Sequence, residues 1–541
     1  MNLVHFFGVL IFGGSVCFSQ YDPHVISKTS CKRATMYIPL LGRISILEWP
    51  VIIISFILSW LEYVVSTITN ILPREVIDFF TATVSLLYKL TPNPITLISS
   101  SQKESRDGQV SYKYFYKRAP AVHKGEHERM VDILNAADVQ EMCQIHGYDV
   151  ENRIVRTKDD YLLTIQRIIK PGEPKRRSNG RVVYFHHGLL MSCEVWVTMV
   201  QTHQNLPFLL YDLGYDVWLG NNRGNKYCQK HLIFPIKSER FWNFSIDEFA
   251  MFDIPNSIDY ILNETGAKTL TYIGFSQGTA QAFAAVSINP DLNKKVEQII
   301  AISPATTPHG LYSRFLDILL KSSPNIVYLL FSRKTLMPSV FFWQQIMYPP
   351  FFDTMIDISN YILFNWRAHN ITKLQKLCSY AHLYSTTSVK TVVHWFQIIG
   401  SKKFHMYRDN ASTIGGSTSI TYPLKSIKIP IHLIYGTTDS LVDIDVMLSQ
   451  LPNENTTAQP VENHEHLDNI WGYDVKQKVF THVLNYLDEA LHASPPSPVE
   501  RIEQSYLKAI GSGDESSTLH NDIKEVELSY RKPSASGSLF L

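Results

Sequence analysis

The 541-residue chain lacks an excess of charge of either sign and has few cysteines. Its 50 lysines and arginines nearly balance 49 aspartates and glutamates, so the formal net charge is +1, and electrostatics give no reason to expect a nucleic acid or polyanionic partner. The six cysteines are scattered, without a CxxC pair or metal-site spacing, which favours buried, reduced thiols over a disulfide framework. No metal or organic cofactor is predicted. Apolar residues make up 45% of the chain, enough for a sizeable core.

The N-terminus is the most unusual part of the sequence. Residues 3–18 are apolar enough for a signal peptide, but no basic residue precedes the apolar run, as such a peptide requires. Met36 then opens a segment that resembles an authentic protein start. Residues 1–35 are therefore interpreted as an uncleaved leader or a gene-model extension.

Residues 36–90 are predicted to form a hydrophobic membrane anchor. The stretch 46–72 is almost continuously apolar, although a spanning helix needs roughly 20 such residues. Two arrangements stay open: a spanning helix that includes Glu62, or a hairpin or interfacial pair with residues 75–90 as its amphipathic second half.

The remainder divides into a linker (91–135), a large folded domain (136–490) and a tail (491–541). The linker has little periodicity, and the Ser-, Pro- and charge-rich tail is predicted to be disordered. In the folded domain, buried strand-like runs alternate with helical patterns, which predicts an α/β fold with a mostly parallel sheet covered on both faces.

A long insertion separates two of the predicted strands, Val296–Ser303 and Ile429–Tyr435. It is too long for a simple crossover and rich in apolar and aromatic residues. We expect a helical cap over about residues 305–425, suited to a large lipophilic substrate, with most of its apolar side chains simply packing the cap onto the core.

The pentapeptide Gly274-Phe275-Ser276-Gln277-Gly278 is the most informative motif. It follows the strand-like run Thr269–Ile273 and precedes a helical pattern that opens at Thr279. Gly-x-Ser-x-Gly in a strand–turn–helix context is the nucleophile elbow of α/β-hydrolases, in which the serine hydroxyl is exposed in a strained turn. Ser276 is the predicted nucleophile.

A serine nucleophile needs a base and a carboxylate that orients the base, which follow in the order Ser, Asp/Glu, His in this fold. Asp439 lies three residues beyond the strand-like run Ile431–Gly436 and is the preferred acid. Asp443, one helical turn further on, is its competitor.

The predicted base is His466, in His-Leu-Asp at the head of the last helix. His464 competes with it and is otherwise interpreted as a surface-loop histidine. His394 precedes the acid strand, and we expect it to be a hydrogen-bonded cap or core residue.

The oxyanion that forms during ester cleavage needs two preorganised backbone donors. The amide of Gln277 directly follows the nucleophile, and the amide of Leu189 follows His186-His187-Gly188 in the loop after an early strand. A metal site at the paired histidines is disfavoured, because adjacent side chains on a strand point to opposite faces.

Together these motifs resemble the acid-lipase family, which includes gastric and lysosomal lipases and fungal steryl ester hydrolases. The resemblance covers about residues 136–490 and rests on the elbow and on four further segments: 186–190, 220–225, 241–248 and 466–468. Asn243 departs from the acidic residue expected there, which affects a local contact only. Two more segments, Met36–Arg43 and 384–390, are most similar to the yeast membrane-anchored members on lipid droplets.

The resemblance implies an α/β-hydrolase fold with a cap and a catalytic triad of Ser276, Asp439 and His466. It also implies cleavage of steryl esters to sterol and fatty acid at a lipid-droplet or endoplasmic-reticulum membrane. Triacylglycerol lipase stays open as an alternative, because no residue separates a sterol from a glyceride leaving group. A catalytically inactive lipid-binding scaffold is the alternative from another class.

Overall fold

The computed structural model of the chain describes residues 124–173, 179–310, 324–336, 349–409 and 420–490, with isolated positions between 53 and 83 and between 338 and 347. The predicted leader (1–35), most of the predicted anchor (36–90) and the predicted tail (491–541) lie outside the described residues. In the part of the chain described, no helix is both long and apolar enough to cross a membrane.

In the described part of the chain, nine strands form a single sheet: β1 Asp149–Arg156, β2 Tyr161–Ile169, β3 Val182–His186, β4 Asp216–Leu219, β5 Lys230–His231, β6 Leu270–Phe275, β7 Val296–Ile302, β8 Ile431–Gly436 and β9 Thr456–Val461. Its order is β1-β2-β4-β3-β6-β7-β8-β9, with β5 paired to β2. Neighbouring strands along β4-β3-β6-β7-β8-β9 are parallel, whereas β2 is antiparallel to each of its partners, β1, β4 and β5. The predicted α/β fold with a mostly parallel sheet is confirmed.

The longer helices are α1 Lys124–Asn135, α2 Val139–Ile145, α3 Leu206–Asp212, α4 Ile254–Thr265, α5 Gln277–Ile288, α6 Pro324–Phe331, α7 Pro349–Phe364, α8 Lys373–Ala381, α9 Val389–Ser401, α10 Ile444–Gln450 and α11 Thr481–Glu489. A capping box at Ser245 starts the helical segment that ends in α4, and a π turn at Phe249–Asp253 interrupts it. Helices α6 to α9 lie between β7 and β8, where the cap was predicted.

Strand β3 shows that both faces of the sheet are covered. Its side chains alternate between two hydrophobic clusters, Val183 and Phe185 in one and Val182 and Tyr184 in the other. This follows from the two-residue period of a strand. All five residues of β3 are buried, as expected for a central parallel strand.

Strand β9 was not predicted from the sequence. It pairs only with β8, at the edge of the sheet, and most of its residues are half-buried or exposed. An edge strand that is polar and contains Pro460 lacks the apolar run that marked the central strands.

Helix α1 lies at the end of the stretch predicted as a linker. Met130 and Ile133, three residues apart on one helix face, pack with Leu377 and Cys378 of cap helix α8. The thiol of Cys378 also donates to the backbone oxygen of Met130 (3.6 Å). Because the first half of α1 is polar, its apolar stripe is too short to be recognised in the sequence as a helical period.

The segment 384–390 fastens the cap to the core. Ser385 Oγ accepts a hydrogen bond from the Lys226 amide (2.9 Å), and Thr386 Oγ1 donates to the Gly224 carbonyl oxygen (2.6 Å). Ser388, which caps α9, donates its hydroxyl to the carbonyl oxygen of Phe244. The hydroxyl-rich run therefore joins the cap to the two core loops that contain Gly224 and Phe244.

The cysteines within the described ranges are buried, unpaired thiols: Cys143, Cys193, Cys228 and Cys378. Burial raises the pKa of the Cys193 and Cys378 thiols, so neither forms a reactive thiolate near neutral pH. Cys17 and Cys31 lie outside the described residues.

Candidate active site

Ser276 lies in the turn between β6 and α5, with φ 53° and ψ −120°. A positive φ is strained for a residue with a side chain, and such strain is concentrated at functional sites. The flanking glycines make the turn sterically feasible. A Cβ at Gly274 would lie 2.9 Å from the backbone of Gly278 and Thr279, and one at Gly278 would lie 2.5 Å from the carbonyl oxygen of His186.

His466 and Asp439 form a buried pair, in which Nδ1 of the imidazole lies 2.6 Å from Oδ2 of the carboxylate. Asp439 follows β8, and its Oδ1 accepts from the Leu441 amide (3.0 Å). Because Nδ1 donates to the carboxylate, Nε2 carries the lone pair that can accept a proton. Ser276 and His466 line the same cavity, so the structure brings all three predicted triad residues to one place.

Asp443, the competing acid, has a different structural role. Its side chain accepts from the Val446 amide (3.2 Å) and so caps the N-terminus of α10. The other oxygen lies 3.0 Å from Nδ1 of His309. Of the two aspartates, Asp439 is the one that hydrogen-bonds to His466.

The interpretation of His464 as a surface-loop residue is wrong. The side chain is fully buried, with Nδ1 2.9 Å from Asn469 Oδ1 and Nε2 2.9 Å from Asp474 Oδ1. Burial acts to raise the pKa of Asp474, but the hydrogen bonds from His464 and Lys478 prevail and lower it to about 2. With both ring nitrogens bound, His464 braces the loop that carries His466.

His394 lies in cap helix α9 and is buried, as the sequence predicts. Its Nε2 donates to the carbonyl oxygen of His405 (2.7 Å). Burial lowers the pKa of His394 to about 3, so the ring is neutral and structural.

His187 shapes the loop that contains the predicted oxyanion donor. Its Nε2 accepts from the Asn222 amide (3.2 Å), so Nδ1 carries the proton and donates to the Gly188 carbonyl oxygen (2.8 Å). Burial lowers the pKa of His187 to about 4. The neighbouring His186 contacts the side-chain amide of Gln281 (2.8 Å).

Gly188 brings this loop against the nucleophile. A Cβ there would lie 3.1 Å from both the Ser276 Cβ and the Met191 Sδ. Leu189 and Gln277 line the cavity beside Ser276. Within the described ranges, neither of their backbone amides donates to another protein group, so both remain available to a ligand.

A cavity of about 300 Å³ opens beside Ser276, between the core and the cap. Its walls are almost wholly apolar. The cap supplies aliphatic and aromatic side chains that include Val327, Phe331, Leu336, Leu363, Phe364 and Phe396.

Two cap tryptophans contact residues of the predicted site and were not predicted from the sequence. The indole of Trp366 stacks on the His466 ring, with centroids 5.0 Å apart and planes at 7°. Trp395 Nε1 donates to Gln277 Oε1 (2.7 Å). No local sequence pattern pairs residues 100 and 118 positions apart, so only the fold reveals these contacts.

Arg223 shows the structural role of the motif at 220–225. Its guanidinium is buried and pairs with Asp253 (Nε to Oδ1, 2.8 Å) and with Asp159 (Nη1 to Oδ2, 2.5 Å). This buried ion network fixes the loop whose Asn222 amide holds His187. The motif thus stabilises the loop that contains Gly188 and Leu189, which we call the oxyanion loop.

Comparison with known proteins agrees with this geometry. Residues 181–473 match the family described as "alpha/beta hydrolase fold", and residues 139–200 match the "Partial alpha/beta-hydrolase lipase region". The chain belongs to the lipase group of the α/β-hydrolases.

Among its relatives is a "Probable lipase" of Schizosaccharomyces pombe, 49% identical over 70% of this chain and 82% of that protein. Human "Gastric triacylglycerol lipase" is 32% identical over 65% of this chain and 91% of its own length. The "Lysosomal acid lipase/cholesteryl ester hydrolase" of Macaca fascicularis is 30% identical over 65% and 90%, respectively. This lipase therefore has relatives named for glyceride and for steryl ester substrates at nearly equal identity.

Proposed function

We propose that this lipase is a membrane-associated serine hydrolase that cleaves steryl esters to sterol and fatty acid. The observation that carries the proposal is the 2.6 Å Asp439–His466 hydrogen bond in the same cavity as the strained Ser276. Cleavage follows the double-displacement chemistry of serine esterases.

Ser276 Oγ attacks the ester carbonyl carbon while its proton passes to His466 Nε2. Asp439 holds the imidazole in the tautomer that accepts this proton, and the amides of Leu189 and Gln277 stabilise the oxyanion. Collapse of the intermediate breaks the bond to the alcohol, which leaves with the proton from His466. Water, deprotonated by His466, then releases the fatty acid from Ser276.

The apolar walls of the cavity support a lipid substrate. An ester with two large hydrocarbon parts gains free energy from each Å² of apolar surface that it buries, about 25 cal/mol. A steryl ester carries only the two oxygens of the scissile group. Its remaining surface matches walls built from residues such as Val327, Leu363 and Phe396.

Association with a lipid-droplet or endoplasmic-reticulum membrane is supported by the few described positions of the predicted anchor. Ile53, Phe56, Ile57 and Trp60 are in helical conformation, and their side chains are exposed. Apolar side chains exposed together mark interaction sites, and a membrane interface accommodates Trp and aliphatic residues alike.

Flotation with phosphatidylcholine-coated triolein droplets tests this part of the proposal. Replacing Phe56, Ile57 and Trp60 by serine should release the protein from the droplets. Serine at Leu232 and Ile233, which are also exposed but lie beyond β5, should leave flotation unchanged. Equal flotation of all three proteins would contradict the proposed anchor.

An acylglycerol substrate is the second candidate function, and one side chain favours it. Asn360 of α7 lines the cavity, is 94% buried (6% exposed), and its Nδ2 has no hydrogen-bond partner among the described residues. An unpaired buried amide is costly unless a ligand satisfies it. A glyceride has further ester or hydroxyl oxygens that can accept from Nδ2, whereas a steryl ester has none beyond the scissile group.

Hydrolysis of cholesteryl oleate and triolein by the purified lipase, presented in matched emulsions, separates the two candidates. The steryl ester proposal expects faster release of oleate from cholesteryl oleate, and Asn360→Leu should retain or increase that rate. If triolein is preferred and Asn360→Leu lowers its kcat/KM about 10-fold, the acylglycerol assignment replaces the steryl ester one. In cells lacking the protein, accumulated steryl esters are expected.

A further inference from the structure

We propose that Trp366 is a positioning residue for the base, through which the cap stabilises the charged form of His466 during catalysis. The inference rests on the proposed role of His466 and goes beyond the triad itself. It assigns the cap a part in the chemistry, in addition to forming the walls of the cavity.

The Trp366 and His466 rings lie nearly parallel and stacked. Their centroids are 5.0 Å apart with an interplanar angle of 7°, and Trp366 is only 6% exposed. Phe275, the residue before the nucleophile, lies on His466 from another direction, with centroids 5.1 Å apart and planes at 55°. The imidazole is therefore held between an indole of the cap and a phenyl ring of the core.

The position of Trp366 is itself fixed by the loops that carry the acid and the base. We name residues 364–370, which begin at the last residue of α7, the cap clasp. The Ser440 hydroxyl, next to the predicted acid, donates to the Phe364 carbonyl oxygen (2.6 Å). The Glu465 carboxylate, next to the predicted base, accepts from the amides of Arg367 (2.9 Å) and Ala368 (2.7 Å).

The far end of the clasp is tied to the base loop as well. Asn370 Nδ2 donates to the Asn463 carbonyl oxygen (2.7 Å) and to Asp468 Oδ2 (3.0 Å). Its own carbonyl oxygen accepts from the Tyr473 amide (2.9 Å). Contacts this dense on both sides of Trp366 hold the indole plane parallel to the imidazole.

The stack stabilises His466 mainly in the state of the reaction in which the ring is charged. When Ser276 gives up its proton, His466 becomes an imidazolium, and a cation over an indole face is attracted by the ring quadrupole. A neutral imidazole gains much less from the same contact. The stack therefore lowers the energy of the transition state relative to the resting enzyme, which is the condition for catalysis.

Other charged or titratable groups lie near His466, and their ionisation also affects the pH dependence of activity. Asp439 binds Nδ1 from the loop after β8. Glu465 and Asp468 lie within two residues of His466 in sequence, and Arg367 of the clasp is adjacent to Trp366. A test must change the ring at 366 and leave these charges in place.

The test compares Trp366→Leu and Trp366→Phe with the wild type in kcat and KM for a soluble short-chain ester, p-nitrophenyl butyrate, between pH 4 and 9. Leucine keeps the site apolar but has no π face, while phenylalanine keeps a ring face and lacks the indole N–H. For Trp366→Leu we expect kcat to fall about 10-fold with little change in KM, and the acid limb of the profile to move about 0.5 pH unit lower. Trp366→Phe should recover most of both effects.

Phe396→Leu is the matched control, since Phe396 is another aromatic wall residue of the cavity. It should alter KM for long-chain esters and leave the pH profile unchanged. A thermal unfolding curve for each variant identifies loss of fold. The proposal is overturned if Trp366→Leu is folded and keeps the wild-type kcat and acid limb. It is also overturned if Trp366→Phe loses as much kcat as Trp366→Leu.

The same samples separate this proposal from the proposed function. A fluorophosphonate probe that labels the wild type and not Ser276→Ala supports the nucleophile whatever the Trp366 variants do. Wild type that neither labels nor hydrolyses the ester overturns the proposed function. Normal labelling with unaltered Trp366 variants overturns only the role of the stack.

Discussion

Ser303, at the carboxyl end of β7, donates its hydroxyl to the backbone carbonyl oxygen of His466 across 2.8 Å. Asn469 Nδ2 donates to the same hydroxyl (2.9 Å), and Asn469 Oδ1 binds His464. A central strand of the sheet thus holds the loop of the base through a chain of three polar side chains. These hydrogen bonds connect the sheet to the loop that carries the predicted catalytic imidazole.

The first prediction concerns His464. Replacing it by alanine leaves Asp474 and Asn469 without their buried partner, which should destabilise the domain by roughly 2–4 kcal/mol. Urea unfolding followed by tryptophan fluorescence measures this, with His369→Ala, an exposed site, as the control. A loss below about 0.5 kcal/mol, within the usual range for a surface change, would contradict a bracing role.

The second prediction separates the two aspartates. Asp439→Asn should lower kcat about 10⁴-fold, because an amide favours the wrong imidazole tautomer. Asp443→Asn should keep activity, since an asparagine still caps α10. Steady-state hydrolysis of a p-nitrophenyl ester distinguishes them, and equal losses would show that the acid has been assigned to the wrong residue.

The third prediction concerns the oxyanion loop. Gly188→Ala places a methyl group 3.1 Å from the Ser276 Cβ, and displacement of the Leu189 amide should lower kcat about 100-fold while the domain stays folded. Gly400→Ala, where a Cβ meets nothing within 4 Å, is the control and should have wild-type kcat. Normal activity of Gly188→Ala would mean that the oxyanion is bound elsewhere.

The fourth prediction is a loss of stability in mild acid. The pKa values of His187 and His394 are lowered to about 4 and about 3 in the folded chain, from about 6.5 in an unfolded one. Between those values the unfolded chain binds more protons, so stability is complete above about pH 6.5 and falls as the pH drops toward 4.

For His187 the loss amounts to roughly 3 kcal/mol at the acid end. Differential scanning calorimetry at pH 7.5, 6 and 5 should record a falling Tm, and His394→Gln should flatten the dependence. A Tm that is constant over this range would contradict the neutral, buried state of these rings.

Local patterns made part of this structure predictable. Strand β3 and the elbow at Ser276 are set by residues adjacent in sequence, and the resemblance of the motifs places Asp439 and His466 correctly relative to the sheet. Trp366 and the partners of His464 were not predictable, since tertiary packing alone brings them to the base. Helix α1 was missed because its apolar stripe is short and gains stability only by packing on α8.

The measurement that tests the central claim most directly is fluorophosphonate labelling of the purified lipase alongside hydrolysis of cholesteryl oleate. Wild type should be labelled once, at Ser276, and should release oleate, while Ser276→Ala should lose the label and lower kcat at least 10⁴-fold. The Asp443→Asn protein serves as a labelled, active control. Labelling or oleate release that persists in Ser276→Ala would contradict the account, and a wild type that does neither would identify the chain as an inactive lipid-binding scaffold.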